Sequence, residues 1–89
     1  ELQIIDAHTY QLDGGLHIDE ANEHMGMDIP EGDYETVAGF LLTSLGHIPF
    51  QGERMHHQGF LIEVFEMRGV KIEQLKVTKV SKPVPGKAE

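Results

Sequence analysis

The chain opens on a β-rich run over residues 3–12, in which Ile4, Ile5, Ala7, Thr9, Tyr10 and Leu12 supply branched, aromatic or apolar positions. The run stops at Asp13-Gly14-Gly15, where glycine permits positive φ, so the pattern predicts one strand and a sharp turn. Ile18, Ala21 and Met25 then recur at helical spacing, with Asp19 and Glu20 near the amino end and Gly26 placed to end a short first helix in the left-handed conformation. Residues 27–32 read as a connection, because Pro30 holds Ile29 extended. Asp33 is expected to cap a second helix running through Leu45, with Glu35 in its first turn and Gly46 just beyond its end. On that helix Val37, Leu41 and Leu45 form one stripe, Ala38 and Leu42 the next, and Phe40 widens the apolar surface, which predicts a mostly buried helix. Gly39 in its interior costs about 1 kcal/mol relative to alanine, and it reads either as close packing against a strand or as a tolerated defect.

After a loop over 47–52, the pattern changes to period two. Residues 54–57, a Gln58-Gly59 turn, residues 60–67, an Arg68-Gly69 turn and residues 70–80 predict a three-stranded antiparallel meander. Within 60–67, Phe60, Ile62 and Val64 point to one face and Leu61, Phe65 and Met67 to the other, so this strand is expected to be central and covered on both sides at least in part. In the last strand the inward phase of Val70 and Ile72 is not continued by Leu75 and Val77, which predicts a bulge near Glu73-Gln74. The expected core is Val37, Phe40, Leu41, Leu45, Ile62, Val64, Phe65 and Leu75. The order β, α, α, β, β, β predicts an α+β fold, an antiparallel sheet with two helices on one face.

Composition narrows the function classes. At 89 residues the chain holds one core, assigned to residues 1–80. Residues 81–89 carry two prolines, a glycine and one large aliphatic side chain, Val84, and are expected to form a flexible tail. The absence of cysteine excludes disulfides and thiolate sites and fits a reducing, cytoplasmic setting. No apolar run reaches the roughly 18 to 20 residues of a membrane span, and no secretory signal is expected. Seven Lys/Arg against fifteen Asp/Glu give a net charge of -8, which repels phosphate backbones and anionic lipid, so neither nucleic-acid binding nor membrane insertion of this chain is expected.

The chemistry-bearing residues do not assemble into a motif. His56 and His57 are adjacent in a predicted strand and point to opposite faces, whereas a strand chelate uses alternate positions. His17 and His24 lie seven apart across a helix start without a third ligand nearby, and the spacing of His8 and His47 adds no chelate. Asp13, Asp19, Glu20, Glu23, Asp28, Glu31, Asp33 and Glu35 make an acidic first half, but the spacing of a calcium loop is missing, and Asp19 and Asp33 are accounted for near helix starts. There is no phosphate loop, and neither Ser44 nor Ser81 sits in a nucleophile elbow. No catalytic residues and no metal ligands are assigned, and the chain is not expected to be an enzyme.

The ordered punctuation is more informative. Asp13-Gly14, Asp19-Glu20 with Asn22, Ile29-Pro30, the Thr36-x-x-Gly39 helix, Leu45-Gly46-x-x-Pro49, Gly52-Glu53 and residues 60–64 together resemble the CorC/HlyC transporter-associated domain, over about residues 5–80. The resemblance implies a C-terminal domain of bacterial membrane proteins that also carry a transmembrane domain and a pair of CBS domains, on the cytoplasmic side of the inner membrane. These proteins are linked to magnesium and cobalt efflux, and some are labelled hemolysin-like. It implies regulation of divalent-cation transport through contacts with the parent's other domains or with a second copy. The family's fold is classed beside a subdomain of FAD-binding oxidoreductases, so a flavin or adenine-nucleotide module is the alternative, by fold analogy only. The resemblance supplies no catalytic or cofactor-binding residues, so Asp13, Gly14, Thr36, Gly39, Gly46 and Pro49 are read as structural. Gly15 and the histidine-rich start of the 54–57 strand have no counterpart in it.

Overall fold

The computed structural model describes residues 2–5 and 8–80. The tail expected over 81–89 lies outside the described residues. The elements in chain order are β1 (Leu2–Ile4), β2 (Thr9–Asp13), α1 (Ile18–Met25), α2 (Val37–Leu45), β3 (Arg54–His57), β4 (Phe60–Arg68) and β5 (Lys71–Lys79). The strands form one antiparallel five-stranded sheet in the order β1-β2-β5-β4-β3. With its two helices the chain is α+β, as the pattern predicts.

Strand alternation sorts the sheet into two faces. Leu12 of β2, Ile62 and Val64 of β4, and Leu75 and Val77 of β5 are buried and pair across the sheet, Val64 opposite Leu75 and Ile62 opposite Val77. They share one core with Ile18, Ala21 and Met25 of α1, Val37, Phe40 and Leu41 of α2, and Met27 and Ile29 of the connection. Both helices end at a glycine in the left-handed region, Gly26 at φ 68° and Gly46 at φ 77°, each donating its N–H back to the preceding turn.

Four expectations need correction. The run over 3–12 is two strands, because the Ile5 N–H donates to the Thr9 carbonyl at 2.8 Å and folds β1 back on β2, Gln3 opposite Gln11. The second helix is capped by Thr36, whose Oγ1 accepts from the Gly39 N–H at 3.1 Å; Asp33 is exposed three residues upstream. The reason lies in the preceding backbone, where Ile18 N–H donates to the Glu35 carbonyl and Val37 N–H to the Leu16 carbonyl. These bonds hold residues 35–36 extended and delay the helix. Gly39 is packed against the Tyr34 side chain and not against a strand, for an added Cβ would lie 2.9 Å from Tyr34 Cβ. Finally, Leu45 is only half-buried, and Phe65 is 46% exposed beneath the Lys76 ammonium, which sits 5.9 Å above its ring.

Phe65 is exposed because the β4–β5 ladder is broken twice. Val64 pairs with Leu75 and Glu66 with Gln74, which leaves Phe65 as an extra residue on β4; Met67 pairs with Ile72, which leaves Glu73 as an extra residue on β5. The irregularity expected near Glu73-Gln74 is therefore present, and it moves the inward phase from Ile72 to Leu75 and Val77. Its partner on β4 has no signal in the hydrophobic pattern. Val70 does not set that phase, since it lies in the β4–β5 turn and is 68% exposed.

Gly14 joins the layers. Its N–H donates to the carbonyl of the bulged Glu73 at 3.0 Å and its own carbonyl accepts from Ala38 N–H at 3.0 Å, so one residue bonds the central strand to the start of α2. A Cβ on Gly14 would overlap the Ile72 carbonyl oxygen and crowd Ala38 Cβ, while one on Gly15 would meet nothing within 4 Å. Gly14→Ala is expected to destabilise by ~1–3 kcal/mol through overpacking, and Gly15→Ala to stay within about 0.5 kcal/mol of the parent. Urea melts of both check this, and equal stabilities would remove the close approach as the reason for glycine. In a parallel pair, Thr36→Ala is expected to cost about 1 kcal/mol and Asp33→Ala less than about 0.5. The reverse order would return the cap to Asp33.

Candidate functional site

The segment between the helices is rigid for reasons visible residue by residue. Asn22, on α1, uses both ends of its amide: Nδ2 donates to the Ile29 carbonyl at 3.0 Å and Oδ1 accepts from Ile29 N–H at 2.7 Å. It therefore stands in for a strand partner and fixes the connection over 27–32. Tyr34 donates its hydroxyl to the Pro30 carbonyl at 2.6 Å, lies against Gly32, and meets Phe40 edge-on with ring centroids 5.5 Å apart. His17 and Thr36 form an isolated antiparallel bridge just ahead of the two helices.

These restraints shape a cleft of about 410 Å³ lined by His17, Ile18, Asp19, Glu31, Gly32, Tyr34 and Glu35. Asp19 belongs to the first turn of α1, and Glu31 and Glu35 bracket the Tyr34 turn, so the cleft gathers carboxylates that are scattered in sequence. Their combined field attracts cations. It is nevertheless not a chelate, since among the described residues no three His, Asp or Glu converge closely enough to hold a metal ion. Asp13, Glu20 and His24 line a separate cleft beside Leu2, and Glu23, Asp28 and Asp33 are exposed outside both.

The remaining histidines are dispersed. His57 Nε2 donates to the Met27 carbonyl at 3.1 Å, and its ring packs edge-on against Phe40 at 5.0 Å, which ties β3 to the connection. His56, its neighbour in β3, is exposed, as is His8. His47 Nε2 donates to Glu53 Oε2 at 2.7 Å, while Glu53 Oε1 accepts from Phe50 N–H, an arrangement that fastens the loop between α2 and β3. On the other face of the sheet Gln11 donates to Gln74, and Gln74 donates to Asp13 at 2.6 Å. Sequence reading missed this polar chain and the Asn22 clamp, because both depend on pairings between residues distant in sequence or across a loop.

A two-helix layer on a five-stranded antiparallel sheet, with an acidic cleft between the helix starts, defines a small α+β module. A family model described as the transporter-associated domain, CorC_HlyC, matches residues 3–81, and the chain belongs to that family. It is 33% identical over 84 residues to the polyamine export protein of Escherichia coli, covering 90% of this chain and 19% of that protein. It is 36% identical over 76 residues to UPF0053 protein sll0260 of Synechocystis, covering 81% of this chain and 17% of that protein. The chain thus spans less than a fifth of the length of these relatives. Among solved structures, the CorC_HlyC domain of a Xylella fastidiosa hemolysin in complex with Mg²⁺ and Mn²⁺ matches with a TM-score of 0.79 at 29% identity, covering 90% of this chain and 98% of that one.

Because the cleft offers carboxylates without a converging ligand set, the chain alone is expected to bind Mg²⁺ and Co²⁺ no more tightly than roughly millimolar, with the heat signal suppressed at about 0.15 M salt by screening. Calorimetric titration at two salt concentrations measures this. A salt-insensitive micromolar site of whole-number stoichiometry would show that the ligands rearrange into a chelate.

Proposed function

We propose that this chain is the regulatory domain of a bacterial membrane protein that exports multivalent cations. It lies on the cytoplasmic side of the inner membrane and acts through contacts with the transmembrane and CBS domains of its parent, without catalysing a reaction. The observation that carries this reading is the cleft where Asp19, Glu31 and Glu35 meet between two braced helix starts. Such a site senses cation concentration weakly and over a wide range, which suits a domain that follows the cytoplasmic load. The polyamine exporter among the relatives and the Mg²⁺ and Mn²⁺ complex of the Xylella domain support a cationic cargo, either a divalent metal such as Mg²⁺ or Co²⁺ or a polyamine. No helix among the described residues is long and apolar enough to cross a membrane.

A flavin or adenine-nucleotide module is disfavoured by the same cleft, for its carboxylates repel phosphate groups and the net charge of -8 adds to that repulsion. The test uses the full-length parent in everted membrane vesicles, with Mg²⁺, Co²⁺ and spermidine as separate cargo. Deleting this domain, or replacing its cleft acids together by Asp19→Asn, Glu31→Gln and Glu35→Gln, is expected to flatten the dependence of export on cytoplasmic-side cation concentration. The maximal rate should stay within about twofold if the domain regulates transport without forming part of its path. An unchanged concentration dependence in both variants would refute the regulatory role, and thermal stabilisation of the isolated chain by FAD, ATP or AMP would favour the binding module instead.

A further inference from the structure

The loop that joins α2 to β3 is fastened almost wholly by side chains. Among the described residues, the backbone of 47–51 makes one backbone–backbone hydrogen bond, and it stays within the loop, from the Glu53 N–H to the Phe50 carbonyl at 3.0 Å. The ties to the rest of the molecule are of another kind. Glu53 Oε2 accepts from His47 Nε2 at 2.7 Å and Glu53 Oε1 from the Phe50 N–H at 3.2 Å, while Gln51 Oε1 accepts from the Met67 N–H of β4 at 3.3 Å. Pro49 is buried, and Ile48 and Phe50 on either side of it are 56% and 69% exposed.

Both ends of the loop are glycines in the left-handed region, Gly46 at φ 77° and Gly52 at φ 99°, the kind of position that absorbs a hinge rotation. The body of the sheet begins directly after the second hinge, where Gly52 N–H donates to the Val64 carbonyl and Val64 N–H to the Glu53 carbonyl. The Glu53 backbone is thus fixed to β4, and its carboxylate reaches back into the loop as a bolt.

Charge decides how tightly that bolt holds. A hydrogen bond between ionised partners is roughly twice as strong as a neutral one, and imidazole is the side chain whose charge ordinarily changes between about pH 5 and 8. α2 carries no charged side chain, and its carboxyl end just ahead of His47 adds a partial negative charge. On the strands that hold the loop, Arg54 lies opposite Glu63, and Glu66 and Arg68 flank Met67, so these four bring no net charge. His56 and His57 lie farther along β3, opposite Leu61 and Phe60.

We propose that the loop is a proton-operated latch: the His47 imidazolium, paired with Glu53, holds it shut against β4, and loss of the proton lets it swing about Gly46 and Gly52. The closed form is favoured at the acid end of this range and declines as pH rises. Opening carries Ile48 and Phe50 away and uncovers the Met67 N–H, on a stretch of β4 that β3 does not reach, since its pairing starts at Arg54 opposite Glu63.

The isolated chain is a fair test object, since the Xylella domain, of which this chain covers 98%, is a solved structure in its own right. Amide hydrogen exchange is compared at about pH 5.5 and 8, corrected for the intrinsic rate. Protection of the Phe50 and Met67 amides is expected to fall about threefold to tenfold on raising the pH, while the Val64 amide, bonded to the Glu53 backbone, keeps its protection. His47→Gln should show the weaker protection at both pH values, and Glu53→Gln should lose it at both, with unchanged circular dichroism. The chain holds no tryptophan, so Phe50→Trp places a single fluorophore on the loop, and its anisotropy should drop over the same range unless His47→Gln is also present. Equal loop protection at the two pH values, a pH response that persists in His47→Gln, or loss of protection at Val64 in step with Phe50 would each overturn the proposal.

Discussion

The backbone of Gly14 is bonded on both sides at once, outward to the Glu73 carbonyl and inward from the Ala38 N–H, and the helical layer is positioned by that double bond. It sets the distance between the central strand and the amino end of α2 so closely that no side chain fits between them. Leu16 and Ile18 follow immediately and bond to Val37 and Glu35, so the starts of α1 and α2 are drawn side by side. The acidic cleft exists because of this registration. Asp19, Glu31 and Glu35 are brought to one cleft by these backbone bonds, although they are scattered in sequence.

The paired bulges on β4 and β5 act on the other half of the molecule. An extra residue on one strand is answered by an extra residue on its neighbour within a turn of the pleat, so the buried row resumes after the break. The bulged Glu73 carbonyl is the one that Gly14 engages, which means the irregularity is part of the attachment of the helical layer. On β4 the same break releases Phe65 from the core and leaves it under Lys76.

Much of this was legible from local chemistry. The glycines after both helices, the meander and the phase slip at Glu73 all follow from backbone preference and period, which act within a few residues. The division of residues 3–12 was not legible, because the run holds no glycine, proline or asparagine to interrupt its β-rich pattern between Ile4 and Thr9. Nor was the delayed start of α2: Asp33 satisfies the rule for a cap, but the bridge between His17 and Thr36 overrides it from across the layer. The family followed from the order of punctuation residues. The cleft did not, since its acids come from a helix start and a braced connection whose proximity depends on Asn22 and Tyr34.

The strand order has a consequence for how the molecule is made. β5, the last described element in the chain, is the central strand, paired to β2 on one side and to β4 on the other. Until it emerges from the ribosome, β2 has no second neighbour, β4 has an open flank, and Gly14 has no carbonyl to meet. The elements that precede β5 therefore cannot close the core without it, and pairing of residues 9–13 with 74–78 completes the sheet in one long-range step. A truncation within β5 would produce two exposed sheet fragments, a form prone to aggregation and a ready substrate for proteolysis.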